Sequence, residues 1–177
     1  MRWTLTTIYT TLIFSTLGIV RNLTEPIRAT GNLGTLTFLL VGIFLFFLAF
    51  FNSTKISKNQ LKLRLILIIS FITLTATVTN LPEERMHVIE YGLLGWLIGW
   101  SLSSSPMTFC RIFSGALLGW TIGLGDEIIQ YFLPNRVYDI RDVILNGVSV
   151  TLGLIFFMTS ELEPMLKTSD NSSVNDE

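Results

Sequence analysis

Charged residues are scarce in this sequence. Only 14% of its 177 residues are Asp, Glu, Lys or Arg, whereas 50% are hydrophobic, and the mean hydropathy is +0.58. Soluble domains carry about one-quarter charged residues, so the composition argues against an ordinary water-soluble fold. The net charge of −1 comes without a basic stripe interleaved with aromatics, which argues against a nucleic-acid partner.

Cysteine and histidine each occur once. Cys110 can form neither an internal disulfide nor a paired-cysteine metal motif. A metal site would have to combine His87 with Glu90, Glu127 and Asp142, and such oxygen-rich sets are hard to distinguish from ion-pair networks in a sequence. We therefore expect neither a bound metal nor a cofactor.

Long apolar blocks are what the sequence has in abundance. A helix needs about 20 mostly apolar residues to cross the hydrocarbon layer, and six stretches approach this length. They are approximately Trp3–Val20, Leu33–Phe51, Leu61–Thr79, Met86–Leu102, Arg111–Leu133 and Asp142–Ser160. The first block is preceded only by Arg2 and followed by no clear small-x-small site, so we interpret it as a helix rather than a signal peptide. The sequence predicts an all-α, polytopic transmembrane bundle of six helices.

Basic residues in the loops predict the orientation of this bundle. The side that holds both termini collects seven Lys and Arg, among them the dense Lys55–Arg64 patch, and the other side collects five. We expect an integral protein of the bacterial cytoplasmic (inner) membrane with cytoplasmic termini. The connections Leu81–Met86 and Pro134–Asp142 would then face outward. Residues 161–177 are polar and acidic, and we expect a disordered tail.

Polar side chains concentrate in the last three predicted helices. Glu127 continues an i+4 row of glycines in helix five, and such rows let membrane helices approach closely, so we expect Glu127 to face a neighbouring helix. The connections before helices four and six lie on one membrane side, so the polar faces should meet near that side. The residues concerned are His87, Glu90 and Tyr91 of helix four, Glu127 and Gln130 of helix five, and Asp142 and Asn146 of helix six.

Three stretches of this region resemble the signatures of the VanZ-like family. The first is Met86–Gly95, in which His87 is followed by Tyr91 four residues later. The second is Asp126–Arg136. The third includes Asp139, Asp142 and Asn146-Gly147, with Gly153 beyond. Two departures are Asn135, where glycine is common, and Val148-Ser149, which replaces a small Gly-Ala pair.

The resemblance divides the chain and implies an envelope role. Residues 1–79 form three helices without recognised motifs, 80–160 form the VanZ-like region with the polar site, and 161–177 form the tail. The member that gives the family its name is associated with resistance to the lipoglycopeptide teicoplanin. The resemblance implies no defined biochemical activity.

Two classes of function remain open. In one, the protein is a non-catalytic envelope factor whose pocket at the outer face binds a membrane lipid, a lipid-like ligand, a membrane-protein partner or a second copy. In the other, it is an intramembrane hydrolase or transferase for a phosphorylated or ester-linked envelope lipid. The candidate catalytic residues are His87, Glu90, Glu127 and Asp142, and the candidate binding residues are Tyr91, Gln130, Arg136, Asp139, Arg141 and Asn146.

The same residues also have structural interpretations. Glu127 and Gln130 could equally serve as an interhelical polar clasp, since buried networks fill both structural and functional roles. Arg136 and Arg141 could bind a phosphate or carboxylate through their guanidinium forks, or extend towards lipid headgroups. The sequence leaves these alternatives open.

Overall fold

The computed structural model describes residues 1–51, 57–77, 82, 84–103, 109–134 and 138–161. Within these ranges the regular secondary structure consists of six α-helices, which confirms the predicted all-α helical class. The helices are α1 (Arg2–Ala29), α2 (Leu33–Phe51), α3 (Lys58–Thr77), α4 (Glu84–Leu102), α5 (Phe109–Phe132) and α6 (Ile140–Met158).

Four of these helices are long and apolar enough to cross a membrane, namely α2, α3, α5 and α6. This establishes an integral membrane protein, although six predicted spans exceed the four that length and composition support in the described residues. The polar residues of α1 and α4 explain the difference. Helix α1 is rich in threonine, and α4 begins with Glu84 and Arg85 and continues through His87 and Glu90.

Helix α1 is longer than its apolar block predicts. The block ends near Val20, but the helix continues to Ala29, with Pro26 inside its last turns. It stops where Gly31 adopts a positive φ of 76°, a conformation that favours glycine after a helix, and the Gly31 amide donates to the Arg28 carbonyl at 2.9 Å. The loss of apolar character after Val20 therefore does not mark the end of the helix.

Helices α4 and α6 form the centre of the bundle, and α5 packs against both. Glycines permit this approach: a Cβ atom on Gly153 would overlap the Gly92 carbonyl, and one on Gly95 would overlap the Val150 carbonyl. The glycine row of α5 faces neighbouring helices as expected, with Gly119 against Val150. Because these backbones are in contact, the ends of the three helices are held in fixed relation.

The remaining helices surround this centre. Helices α2 and α3 contribute Phe44 and Phe71, whose rings meet edge to face at 5.7 Å in an apolar cluster beside α4. Helix α1 contacts α4 through a hydrogen bond between the Thr6 and Ser101 hydroxyls at 2.7 Å. Large apolar side chains such as Phe46 point outward and are exposed, as expected for a surface in contact with lipid.

A polar network joins the helix ends that lie opposite the predicted site. The Gln60 side-chain amide donates to the Thr159 carbonyl at 3.0 Å, and Arg64 Nε donates to the Thr159 hydroxyl at 2.9 Å. Arg111 forms an ion pair of 2.6 Å with Glu161. Arg64 and Arg111 are both buried, so two residues of the basic count used for orientation have structural roles.

Candidate functional site

Buried polar side chains cluster near the C-terminal end of α5. Asp126 and Glu127 are fully buried, and Gln130 is 3% exposed. The Gln130 side-chain amide donates to Glu127 Oε1 at 3.0 Å and to Asp126 Oδ2 at 3.3 Å. The i+3 and i+4 spacings place all three on one helical face. Two adjacent carboxylates are therefore held inside the bundle, where a charge is expensive unless it is paired or solvated.

Glu127 connects the end of α5 to the start of α6. Its Oε2 atom accepts a hydrogen bond of 3.2 Å from the backbone N–H of Asp139, the residue that caps α6. The Asp139 side chain in turn accepts from the Arg141 N–H at 2.8 Å, as an N-cap does. Both oxygens of Glu127 thus have partners within the protein. This geometry favours the clasp interpretation of Glu127 and Gln130.

Asp139 and Arg141 form an ion pair at the rim of the site. Arg141 approaches Asp139 Oδ2 through Nε at 3.0 Å and through a terminal nitrogen at 2.7 Å, and the Arg141 side chain is 66% exposed. The guanidinium hydrogen bond lowers the pKa of Asp139 below its usual range. The Arg141 guanidinium is thus already bound to the Asp139 carboxylate, which caps α6. The predicted partner Arg136 lies outside the described residues.

Helix α4 contributes two ring side chains. His87 Nδ1 lies 3.8 Å from Asp126 Oδ2, a distance for electrostatic attraction when the imidazole is protonated. The rings of His87 and Tyr91 stack with centroids 6.1 Å apart. The Tyr91 hydroxyl is buried beside the Asp126 carboxylate, which is its nearest hydrogen-bond acceptor. His87 and Tyr91 therefore line the cluster.

Asn146 completes the cluster from α6. Its side chain is fully buried, and a Cβ atom on Gly123 of α5 would lie 2.8 Å from the Asn146 Cβ, so only a glycine permits this approach. Within the part of the chain that the structure describes, neither the oxygen nor the nitrogen of the Asn146 amide has a hydrogen-bond partner. Ser149 Oγ, one turn further along α6, also has no hydrogen-bond partner among the described residues.

The other predicted residues lie around this centre. Glu90 is partly buried towards α1, where its backbone carbonyl accepts a hydrogen bond of 3.2 Å from the Tyr9 hydroxyl. Asp142 is partly buried in the first turn of α6. Among the described residues, no three His, Cys, Asp or Glu side chains come together as metal ligands.

Asp126 is the principal site residue that the predictions omitted. It is fully buried and lies between Gln130 of its own helix and His87 of α4. Its position four residues before Gln130 was a usable signal, because such a pair shares a helical face. The predictions instead followed the glycine row, which leads to Glu127.

The sequence model of the VanZ/LLP1 family matches residues 34–161. The chain belongs to the VanZ/LLP1 family. The predicted resemblance is thereby confirmed, and the match also includes α2 and α3, which lack the recognised motifs. No curated protein and no solved structure matches the chain. In this VanZ/LLP1 chain the signature stretches lie on α4, α5 and α6, and they meet where His87, Asp126 and Asn146 converge.

Proposed function

We propose that this protein is a non-catalytic factor of the cell envelope that binds the polar headgroup of a membrane lipid or lipid-like ligand. The observation that carries the proposal is the convergence of fully buried polar side chains, Asp126 and Glu127 of α5 and Asn146 of α6, inside a membrane protein. Such groups are expensive in a bilayer and mark functional sites more often than lipid-facing positions do.

The depth of the cluster supports a headgroup ligand. Glu127 lies five residues before the end of α5, so at about 1.5 Å per residue it is about 7.5 Å from that end along the helix. A headgroup at the membrane interface could reach this depth past the partly exposed His87. We place the site at the outer face of the bacterial cytoplasmic membrane, with both termini in the cytoplasm. That placement, and the association of the VanZ-like family with teicoplanin resistance, support an envelope role.

A lipid-dependent stability measurement tests this function. We expect at least one of phosphatidylglycerol, phosphatidylethanolamine and glucosyl-diacylglycerol to raise the unfolding midpoint of the purified full chain, because a ligand that binds only the folded state stabilises it. Asp126→Asn and Asn146→Leu should reduce this increase. Glu25→Gln removes an exposed acid from α1 and serves as the matched control. An increase that both site variants retain in full, or no increase with any lipid, would refute the proposal.

One observation favours a second candidate, an intramembrane hydrolase or transferase. His87 Nδ1 lies 3.8 Å from Asp126, and an imidazole beside a carboxylate is a common general acid–base pair. In that case the wild-type protein should turn over a radiolabelled phosphorylated or ester-linked envelope lipid. His87→Gln should abolish turnover while it preserves lipid binding. Such turnover would replace the non-catalytic proposal.

A further inference from the structure

We infer that the bound headgroup is uncharged at its deepest point and carries hydroxyl groups, as a sugar or polyol does, and that Asn146 and Ser149 bind these hydroxyls. The inference rests on the proposed function, because it names the chemical class of ligand for the same site. It concerns the inner part of the site, beyond the carboxylates of Asp126 and Glu127.

The inner part of the site contains only uncharged polar side chains. Asn146 and Ser149 are fully buried, and each carries a polar atom without a hydrogen-bond partner among the described residues, while the buried Tyr91 hydroxyl lies beside the Asp126 carboxylate. In Asn146, both the amide oxygen and the amide nitrogen lack a hydrogen-bond partner among these residues. Buried polar atoms in proteins are nearly always hydrogen-bonded, so several such atoms in one region indicate a partner supplied from outside the chain.

These side chains lie close together. A Cβ atom built on Gly123 would be 3.6 Å from Tyr91 Cε1 and 3.8 Å from Asn146 Cγ, so both side chains face the same point beside α5. Ser149 lies three positions after Asn146 and therefore on the same side of α6. One turn beyond Ser149, Gly153 of α6 meets the Gly92 backbone of α4. The polar region is thus a short extension of the carboxylate cluster that ends inside the bundle.

The donor and acceptor pattern selects the ligand chemistry. The Asn146 amide needs one acceptor and one donor, and each hydroxyl group can supply both. A phosphate offers only acceptors and would leave the Asn146 oxygen without a partner. An ammonium group offers only donors and would leave the Asn146 nitrogen without one. Adjacent ligand hydroxyls satisfy both atoms of the Asn146 amide as well as the Ser149 hydroxyl, and they introduce no charge into the buried site.

The test compares three lipids that have the same acyl chains and differ in the headgroup: glucosyl-diacylglycerol, diacylglycerol and phosphatidic acid. Their binding to the purified full chain is measured by native mass spectrometry in a detergent without sugar groups. We expect glucosyl-diacylglycerol to bind at least about tenfold more tightly than either of the others, which corresponds to about 1.4 kcal/mol. Asn146→Leu should remove this preference, and Asn59→Leu, the same change at an exposed position of α3, should retain it.

A second, milder variant keeps the test valid if Asn146→Leu fails to fold. Ser149→Ala removes only one hydroxyl that has no partner in the described structure, so it should leave the fold intact and still reduce the preference for the sugar headgroup. An unchanged preference in Ser149→Ala together with Asn146→Leu would overturn the inference, since the polar atoms would then be satisfied by water alone.

The remaining outcomes separate this inference from the proposed function. If phosphatidic acid binds as tightly as the glycolipid and Asp126→Asn still weakens both, the lipid site stands and the hydroxyl chemistry is wrong. If no lipid binds in preference to another and no variant changes binding, both proposals fail. If free glucose displaces the glycolipid at equal concentration, the hydroxyl chemistry stands and a lipid source is refuted.

Discussion

Replacing Glu127 with glutamine separates a structural clasp from a residue that acts only on a ligand. The Glu127 carboxylate accepts from the Gln130 side chain at 3.0 Å and from the Asp139 backbone N–H at 3.2 Å. A glutamine has a single carbonyl oxygen, and its amino group would face one of these two donors. One of these two buried hydrogen bonds would therefore be lost.

The size of the effect follows from the lost bond. Hydrogen bonds to charged groups contribute about 1.5–3 kcal/mol each, and a buried donor left without a partner costs a similar amount. We therefore expect Glu127→Gln to lower the free energy of unfolding by about 1.5–3 kcal/mol. A residue without a structural role would tolerate this nearly isosteric change, with an effect of about 0.5 kcal/mol or less.

Two readouts check this expectation. Equilibrium unfolding of the purified protein in mixed micelles gives the change in free energy. Hydrogen exchange of the Asp139 amide at the start of α6 shows which of the two bonds is lost, because this amide exchanges faster than in the wild type when Asp139 loses its acceptor. Glu25→Gln, an exposed change on α1, should alter neither readout. Wild-type stability and exchange in Glu127→Gln would show that Glu127 does not hold α6.

Three further substitutions examine other parts of the fold. Gly153→Ala should destabilise the bundle by about 1–3 kcal/mol because its methyl group would overlap a backbone carbonyl of α4. Gly42 faces open space, so Gly42→Ala serves as the control and should not destabilise the bundle. Equal unfolding midpoints for the two variants would refute the backbone contact. Asp139→Ala should cost about 1 kcal/mol through loss of the α6 cap. The pKa of Asp139 is lowered in the folded state, so the stability that its carboxylate contributes should be complete above the ordinary pKa of about 3.9 and be lost as the pH falls through the lowered pKa. A pH titration in which the stability of the variant and that of the wild type differ equally at every pH would contradict this assignment. Thr159→Val removes the acceptor of Arg64 Nε and should lower stability by about 1–3 kcal/mol in thermal unfolding, while an unchanged midpoint would mean that this buried bond is dispensable.

Much of the fold could be predicted from the sequence because membrane helices leave two strong signals. Apolar blocks located the helices, and the glycine row of α5 correctly indicated a helix contact at Gly119. The end of α1 could not be predicted in this way, since the helix continues to Ala29 through residues too polar for the membrane interior. Hydropathy reports where the apolar block ends, whereas the helix ends where Gly31 adopts a positive φ.

The burial of two candidate site residues could be predicted from the sequence, but the contacts between the candidate residues could not. Helical spacing placed Glu127 and Asn146 on inward faces, and both are fully buried. The bond from the Asp139 N–H to Glu127 and the ion pair between Asp139 and Arg141 depend on how the start of α6 lies against the end of α5. No local pattern reports such contacts, because they arise from tertiary geometry. Asp126 was omitted because one glycine row was taken to define the whole buried face of α5.

The most direct test of the proposed ligand site is an experimental structure of the full chain crystallised in a lipid phase that contains glucosyl-diacylglycerol. The proposed site requires a headgroup oxygen within about 2.7–3.2 Å of the Asn146 amide, beside Tyr91 and further inside the bundle than Asp126 and His87. A structure that contradicts it would show ordered lipid headgroups elsewhere on the protein, with the Asn146 amide bonded only to other side chains or to water.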